Sequence, residues 1–349
     1  MKKYLLSALI ITIVAATGCK KDKKTDLGNF FTGSIAINIP SHLIVSQPLD
    51  VSLTISITEP ANNIKYEFSL PGFSTEATIN DDGIVTGLTA PSEPGTYTVT
   101  ASATHPDYND LSALSRSVIV IDPSSQESYS GYIDGEASMT DSRDNKQYYY
   151  THIGNLDWFT SNLRWAGAGQ SVDSVAALDY IYGRLYTWEE ATGGNSGSGL
   201  GGGPQGICPA GWAIPTNDDW EDFASVLAGE SLAFEDIWEG LGATASAEVY
   251  LNKDRVWTIY SPDNRHTNDF RWNGVPAGSF SATTADPDNA PNIYSFINRG
   301  SGGLWWSATQ ENTDRAYYRH IDDQNANFLY GSGSKKYLGA SVRCVRIHP

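Results

Sequence analysis

The chain of 349 residues is poor in cysteine, histidine and methionine, with three, six and two of them. No CxxC, HxxxH or H-E-x-x-H spacing occurs, so the common zinc sites and zinc hydrolases have no footing here. G-x-S-x-G is missing too, which removes the usual serine-hydrolase signature. Basic residues are also scarce: 23 Lys and Arg stand against 40 Asp and Glu, a formal charge of −17. That balance argues against nucleic acid, and against an anionic glycan, as the partner. Tryptophan is absent from the first 157 residues, and all ten lie beyond them. With this length, the break suggests two domains.

What is present begins at the N-terminus. Lys2 and Lys3 precede the apolar run LLSALIITIVAA and then Ala16-Thr17-Gly18-Cys19. A charged start, a short apolar core and small residues before a cysteine read as a signal peptide, 1–18, with lipidation at Cys19. Its removal takes away two lysines and no acid, moving the charge from −17 to −19. Residues 19–33 read as a charged tether. Lys20 after the cysteine resembles lipoproteins passed on to the outer membrane, so the expected place is that membrane's surface. Cys208 and Cys344 are left in an exported, oxidising compartment, where an even pair most simply means a disulfide. A nucleophilic thiol would want a histidine partner, and none is near Cys208; zinc would want further ligands at short spacing.

From Ser34 to Asp122 apolar residues alternate in short runs: Ile35, Ile37 and Ile39; Val51, Leu53, Ile55 and Ile57; Tyr97, Val99, Ala101 and Ala103; then Val118 to Ile121. Turn signals at Glu59-Pro60, Pro71-Gly72, Asp81-Asp82-Gly83 and Pro94-Gly95 separate them, as in a β-sandwich. Residues 123–130, DPSSQESY, read as a polar linker. In the second domain, 131–349, one helix stands out at Asn217–Ala228. It has a cap at Thr216 or Asn217 and Trp220, Phe223, Ala224 and Leu227 on one face.

The stretch ATINDDGIVTGLTAPSEPGTYTVTASA resembles bacterial Ig-like domains, which implies an Ig-like sandwich acting as a spacer. Seven motifs follow in the order of the Fibrobacter succinogenes major paralogous domain: IGNLDWFTSNLRW, YGRLYTWEEA, CPAGWAIPTNDDW, GVPAGSF, LWWSAT, AYYRHID and SVRCVR. The resemblance implies a C-type-lectin-like α+β fold, so the whole reads as an all-β Ig-like sandwich followed by an α+β C-type-lectin-like domain. That family typically carries the cysteines matched here by Cys208 and Cys344. It has no general activity to transfer, and the calcium-dependent sugar motifs of true C-type lectins are missing, as is the redox cysteine pattern of formylglycine-generating enzymes.

Remaining constellations are weak. GSGLGG, with Gly197, Gly199 and Gly202, satisfies G-x-G-x-x-G but lies in a glycine-dense loop that reads as flexible, without a strand-turn-helix frame. The adjacent acids Glu189-Glu190 and Asp322-Asp323 point apart and do not flank a scissile bond. No cofactor is expected; Asp286, Asp288 and Asn289 are weak calcium candidates. Trp238, Trp257 and Trp272 fall outside the family motifs, among Asp263, Asn264, Arg265, His266, Asn268 and Asp269. Aromatic faces beside hydrogen-bonding groups suit neutral sugars, so these residues are the expected ligand site.

The architecture resembles surface glycan-binding lipoproteins of Bacteroidetes polysaccharide-utilisation systems. That implies a non-enzymatic protein capturing neutral oligo- or polysaccharide for a TonB-dependent importer. An adhesive protein that binds a protein partner is the alternative, and a glycoside hydrolase the third reading.

Overall fold

The structure, a computed structural model, describes residues 28–74, 78–79, 84–258, 266–284 and 292–349. Cys19 with its leader, the Asp81-Asp82-Gly83 turn, Asp263, Asn264, Arg265, Asp286, Asp288 and Asn289 lie outside the described residues. The fold is mostly β-sheet, with 11% helix. No helix among the described residues is long and apolar enough to cross a membrane.

The first part is a β-sandwich. One sheet runs Asn29–Phe30, Tyr108–Ser112, Gly95–His105, Arg116–Ile121, His42–Ile44, with Lys65–Ser69 also paired to Gly95–His105. The other runs Ile35–Asn38, Pro48–Ile55, Ile84–Thr89, Thr78–Ile79. Side chains alternate across each strand, so every second residue faces the partner sheet. Ile35, Ile37, Val51, Leu53, Val85 and Leu88 from one sheet therefore meet Val99, Ala101, Ala103, Val118 and Val120 from the other, all buried.

The stretch expected as a linker is folded in. Ser128 donates to Asn252 Oδ1 at 2.6 Å and accepts from the Asp122 N–H at 2.8 Å. Tyr129–Ser130 then pairs with Tyr250–Leu251. Ile121, with Ile44 and Ile119 beside it, joins an apolar cluster containing Val172, Leu178, Ile181 and Phe280, so the end of the sandwich packs directly on the second part.

The second part holds an eight-stranded and a four-stranded sheet. The larger contains Arg184–Thr187, Leu338–Ser341, Gly302–Gln310 and Arg315–Asp322 in that order; the smaller runs Ala137–Thr140, Gln147–Ile153, Leu156–Phe159, Val345–Ile347. Helix Asn217–Ala228 packs against them through Trp220, Phe223 and Ala224. Thr216 and Asp219 form a reciprocal capping box, and Gly229 ends the helix at φ 73°. Only a residue without Cβ adopts that left-handed turn at no steric cost. Cys208 and Cys344 are joined in a disulfide inside a core that includes Trp188, Trp212 and Trp306.

The glycine-dense loop read as flexible is pinned in place. Gly199 N–H donates to Asp218 at 2.8 Å, and Gly201 N–H to the buried Asp219 at 2.6 Å. The helix's own first-turn carboxylates take up the loop amides that a phosphate would need.

A tyrosine-lined cleft as the candidate functional site

The expected aromatic platform is core. Trp238 and Trp272 are 0% exposed and Trp257 is 2% exposed. Trp272 lies among Trp220, Phe223, Trp305 and Phe328 at ring separations of 4.8–5.8 Å. Arg319 sits 3.2 Å above the Trp238 ring, and Trp257 stacks on His266 at 4.3 Å. None of these rings can offer a face to a ligand. The segment outside the family motifs contributes its own large side chains to the core, which is why subtracting those motifs did not isolate a surface. Asp269 is exposed, but the tryptophans it was expected to flank are not. Glu190, one of the adjacent acids, is occupied in a helix cap with Thr187.

Asn268 is also buried, and its role is indirect. It donates to Asn273 Oδ1 at 2.7 Å and accepts from the Asn273 N–H at 2.8 Å. Asn273 in turn accepts from the Ile133 N–H at 3.0 Å and donates to the carbonyls of Ile133 and Thr160 at 2.8 and 2.9 Å. The two asparagines thus tie together backbone segments 140 residues apart. Both have positive φ, 52° and 56°, a region in which asparagine is enriched. Beneath them Arg343, 0% exposed, donates to Asn162 Oδ1 at 2.8 Å and to the carbonyls of Phe159 and Asn273 at 3.0 and 3.2 Å.

Ile133 and Thr160 are walls of a cavity of about 350 Å³, at the small end of the roughly 300–1,000 Å³ usual for ligand sites. Its aromatic lining is Tyr129, Tyr132, Tyr149 and Tyr180; Gln147, Ser161, Arg164 and Asp134 supply polar atoms. Alternation along Gln147–Ile153 sends Tyr148 into the core, fully buried, and leaves Tyr149 half-buried at the cleft. Tyr180, on the short helix Asp179–Tyr182, is 44% exposed. Tyr129 and Tyr132 lie side by side at 5.2 Å. Tyr132 donates to the Ile181 carbonyl at 2.5 Å. Burial pushes the Tyr132 phenol up to about 12 and Tyr129 well above its ordinary value, so both stay protonated at neutral pH.

Arg164 is held across the cleft. Its guanidinium lies 5.0 Å from the Tyr148 ring and 5.7 Å from Tyr180, and Nη2 donates to the Gln147 carbonyl at 2.8 Å. Flat faces beside fixed donors and acceptors are what a polyhydroxylated ligand uses. The sequence reading missed these tyrosines because Tyr129 sat in the supposed linker and Tyr149 in a run of three tyrosines, Tyr148 to Tyr150. The signal available was that run itself: on a strand, one of three neighbours must point away from the other two. Among the described residues, His152, Asp157 and His348 form a separate group with metal-ligating atoms.

A family model described as the Fibrobacter succinogenes major domain matches residues 151–346. No curated protein matches the chain. Among solved structures, the crystal structure of the Lin-41 filamin domain is similar at 14% identity, over 25% of this chain and 90% of that one, with a TM-score of 0.18.

Proposed function

The chain belongs to the Fibrobacter succinogenes major domain family, and from that premise we propose that it is a carbohydrate-binding protein that holds neutral oligo- or polysaccharide without chemically altering it. The tyrosine cleft carries this reading, because it offers half-exposed aromatic faces within reach of fixed hydrogen-bonding groups. The second part is read as C-type-lectin-like, with mostly antiparallel sheets, long loops and helices Trp188–Thr192 and Asn217–Ala228 each closed by a capping box. The first is read as an Ig-like spacer. The N-terminal pattern ending at Cys19 supports lipid anchoring at the outer membrane, where the head would present glycan to a TonB-dependent importer. These assignments rest on architecture and motif order.

The test is a panel of neutral glycans followed by calorimetry on the best binder. Tyr180→Ala and Tyr149→Ala should each weaken binding roughly 5- to 30-fold, as expected for a ring worth about 1–2 kcal/mol. Circular dichroism should stay unchanged, since neither ring is fully buried. Binding should also persist in EDTA. Failure of every neutral glycan to bind, or indifference of the affinity to both substitutions, would overturn the assignment and favour a protein ligand.

A further inference from the structure

On the opposite face of the strand that carries Tyr149, two imidazoles converge on one carboxylate. Antiparallel pairing sets His152 opposite Asp157, and Asp157 opposite Arg346. His348, two residues beyond Arg346, returns to the same face. Its backbone N–H is fixed on the Asn155 carbonyl at 3.0 Å. His348 Nδ1 lies 2.7 Å from Asp157 Oδ1, and His152 Nδ1 lies 3.7 Å from the same oxygen. The two rings are 3.9 Å apart.

Asp157 is buried, with its side chain 3% exposed, whereas the imidazoles are 39% and 48% exposed at the rim of a cavity of about 310 Å³. Its other oxygen is already satisfied: Arg346 Nε donates to Oδ2 at 2.9 Å, and the same guanidinium is stacked on Tyr150 and Trp212. An ion pair with Arg346 therefore accounts for one oxygen and leaves Oδ1 facing two ring nitrogens. One proton can bridge Oδ1 to His348, but His152 Nδ1 is beyond hydrogen-bonding distance of it.

We propose that His152 Nδ1, His348 Nδ1 and Asp157 Oδ1 bind one divalent transition-metal ion of the zinc type, with the remaining positions open to the cavity. Two imidazoles and a carboxylate suit borderline-soft ions better than calcium or magnesium. Bonds of about 2.0–2.2 Å require ligand atoms to stand roughly 3–3.5 Å apart, and the three residues each offer a ligand atom within 4.8 Å of the others. Small rotations of two exposed rings close the difference. Arg346 remains as the outer partner that orients the carboxylate, as ligating carboxylates commonly require. Glu136, whose carboxylate accepts from the His152 N–H at 3.4 Å, lines the same cavity.

The experiment is calorimetric titration of the EDTA-treated, dialysed full chain with zinc chloride, then with calcium and magnesium chloride. One zinc per chain with a micromolar or tighter Kd is expected. The double variant His152→Ala/His348→Ala and the single variant Asp157→Asn should each weaken it by about 100-fold or more, and calcium and magnesium should bind at least that much more weakly. Both histidines are exposed, so the double variant keeps its fold, as its circular dichroism will register, and it decides the matter even if Asp157→Asn unfolds. Absence of zinc binding below about 1 mM, an unchanged affinity in the double variant, or equal affinity for calcium would each overturn the site.

Discussion

Buried ionisable side chains govern how this protein responds to pH. His42, at the base of the sandwich beside Arg299, and His266, stacked on Trp257, are both lowered from 6.5 to about 4, chiefly by burial. Between those values the unfolded chain binds protons that the folded chain refuses, so each histidine removes stability as the pH falls from about 6.5 to about 4. The size is at most about 3 kcal/mol each. Asp219 works the other way: burial raises it to about 6, so its contribution is greatest in acid and is lost as the pH rises from about 4 to about 6. Burial also lowers His320, which adds to the loss towards acid, and raises Asp179, which opposes it. Urea denaturation at about pH 7 and about pH 4.5 should show a smaller drop for His42→Gln/His266→Gln than for the parent; equal drops would mean that the two rings are not linked to folding. The buried arginines behave differently. Burial lowers Arg319 to about 8 and Arg343 to about 9, yet both remain cationic at neutral pH, held by carbonyls and aromatic faces.

At the scale of elements, helix Asn217–Ala228 shows how far local rules reach. The cap, the apolar face and both ends agree with the sequence expectation because they depend on residues within one or two turns. Thr216 accepts from the Asp219 N–H at 3.2 Å, and Asp219 accepts from the Thr216 N–H at 2.9 Å. Thr216→Ala should therefore cost about 1 kcal/mol, and more if the glycine loop is released, since the Thr216 hydroxyl also donates to the Gly199 carbonyl. The shift in the urea midpoint measures it; no shift would mean that the loop holds the helix end unaided. That loop shows the limit of composition. Its glycines suggested flexibility, but the acids that anchor it lie 18 and 19 residues further on.

For the whole molecule, the disulfide spans 136 residues and ties the loop at Cys208 to the strand that begins just after Cys344. Removing such a bridge lifts a restraint on the unfolded chain. Cys344→Ser should lower stability by about 2–5 kcal/mol, while non-reducing peptide mapping of the parent should recover the Cys208–Cys344 peptide. A stability change below about 1 kcal/mol would show that the aromatic core holds this end of the chain by itself. The sandwich and the second part also share an apolar cluster through Ile44, Ile119 and Ile121, so the first part is fixed to the head at that end.

The sequence by itself determined the alternation that builds the sandwich, the capped helix, the pairing of two cysteines and the family of the second part. Each depends on near neighbours or on residue identity. Only the tertiary structure decided which aromatic rings meet solvent. Trp257 and Trp272 look as free as Tyr149 and Tyr180 in sequence, because burial is a property of what arrives from elsewhere: Trp305 and Phe328 close over Trp272, whereas Tyr180, with Arg164 beside its ring, stays 44% exposed. The cleft's walls come from four separated segments, joined by an asparagine 140 residues from the backbone it holds. Long-range hydrogen bonds of that kind leave no periodic trace in a chain, so the position of the site emerges only when the core has packed.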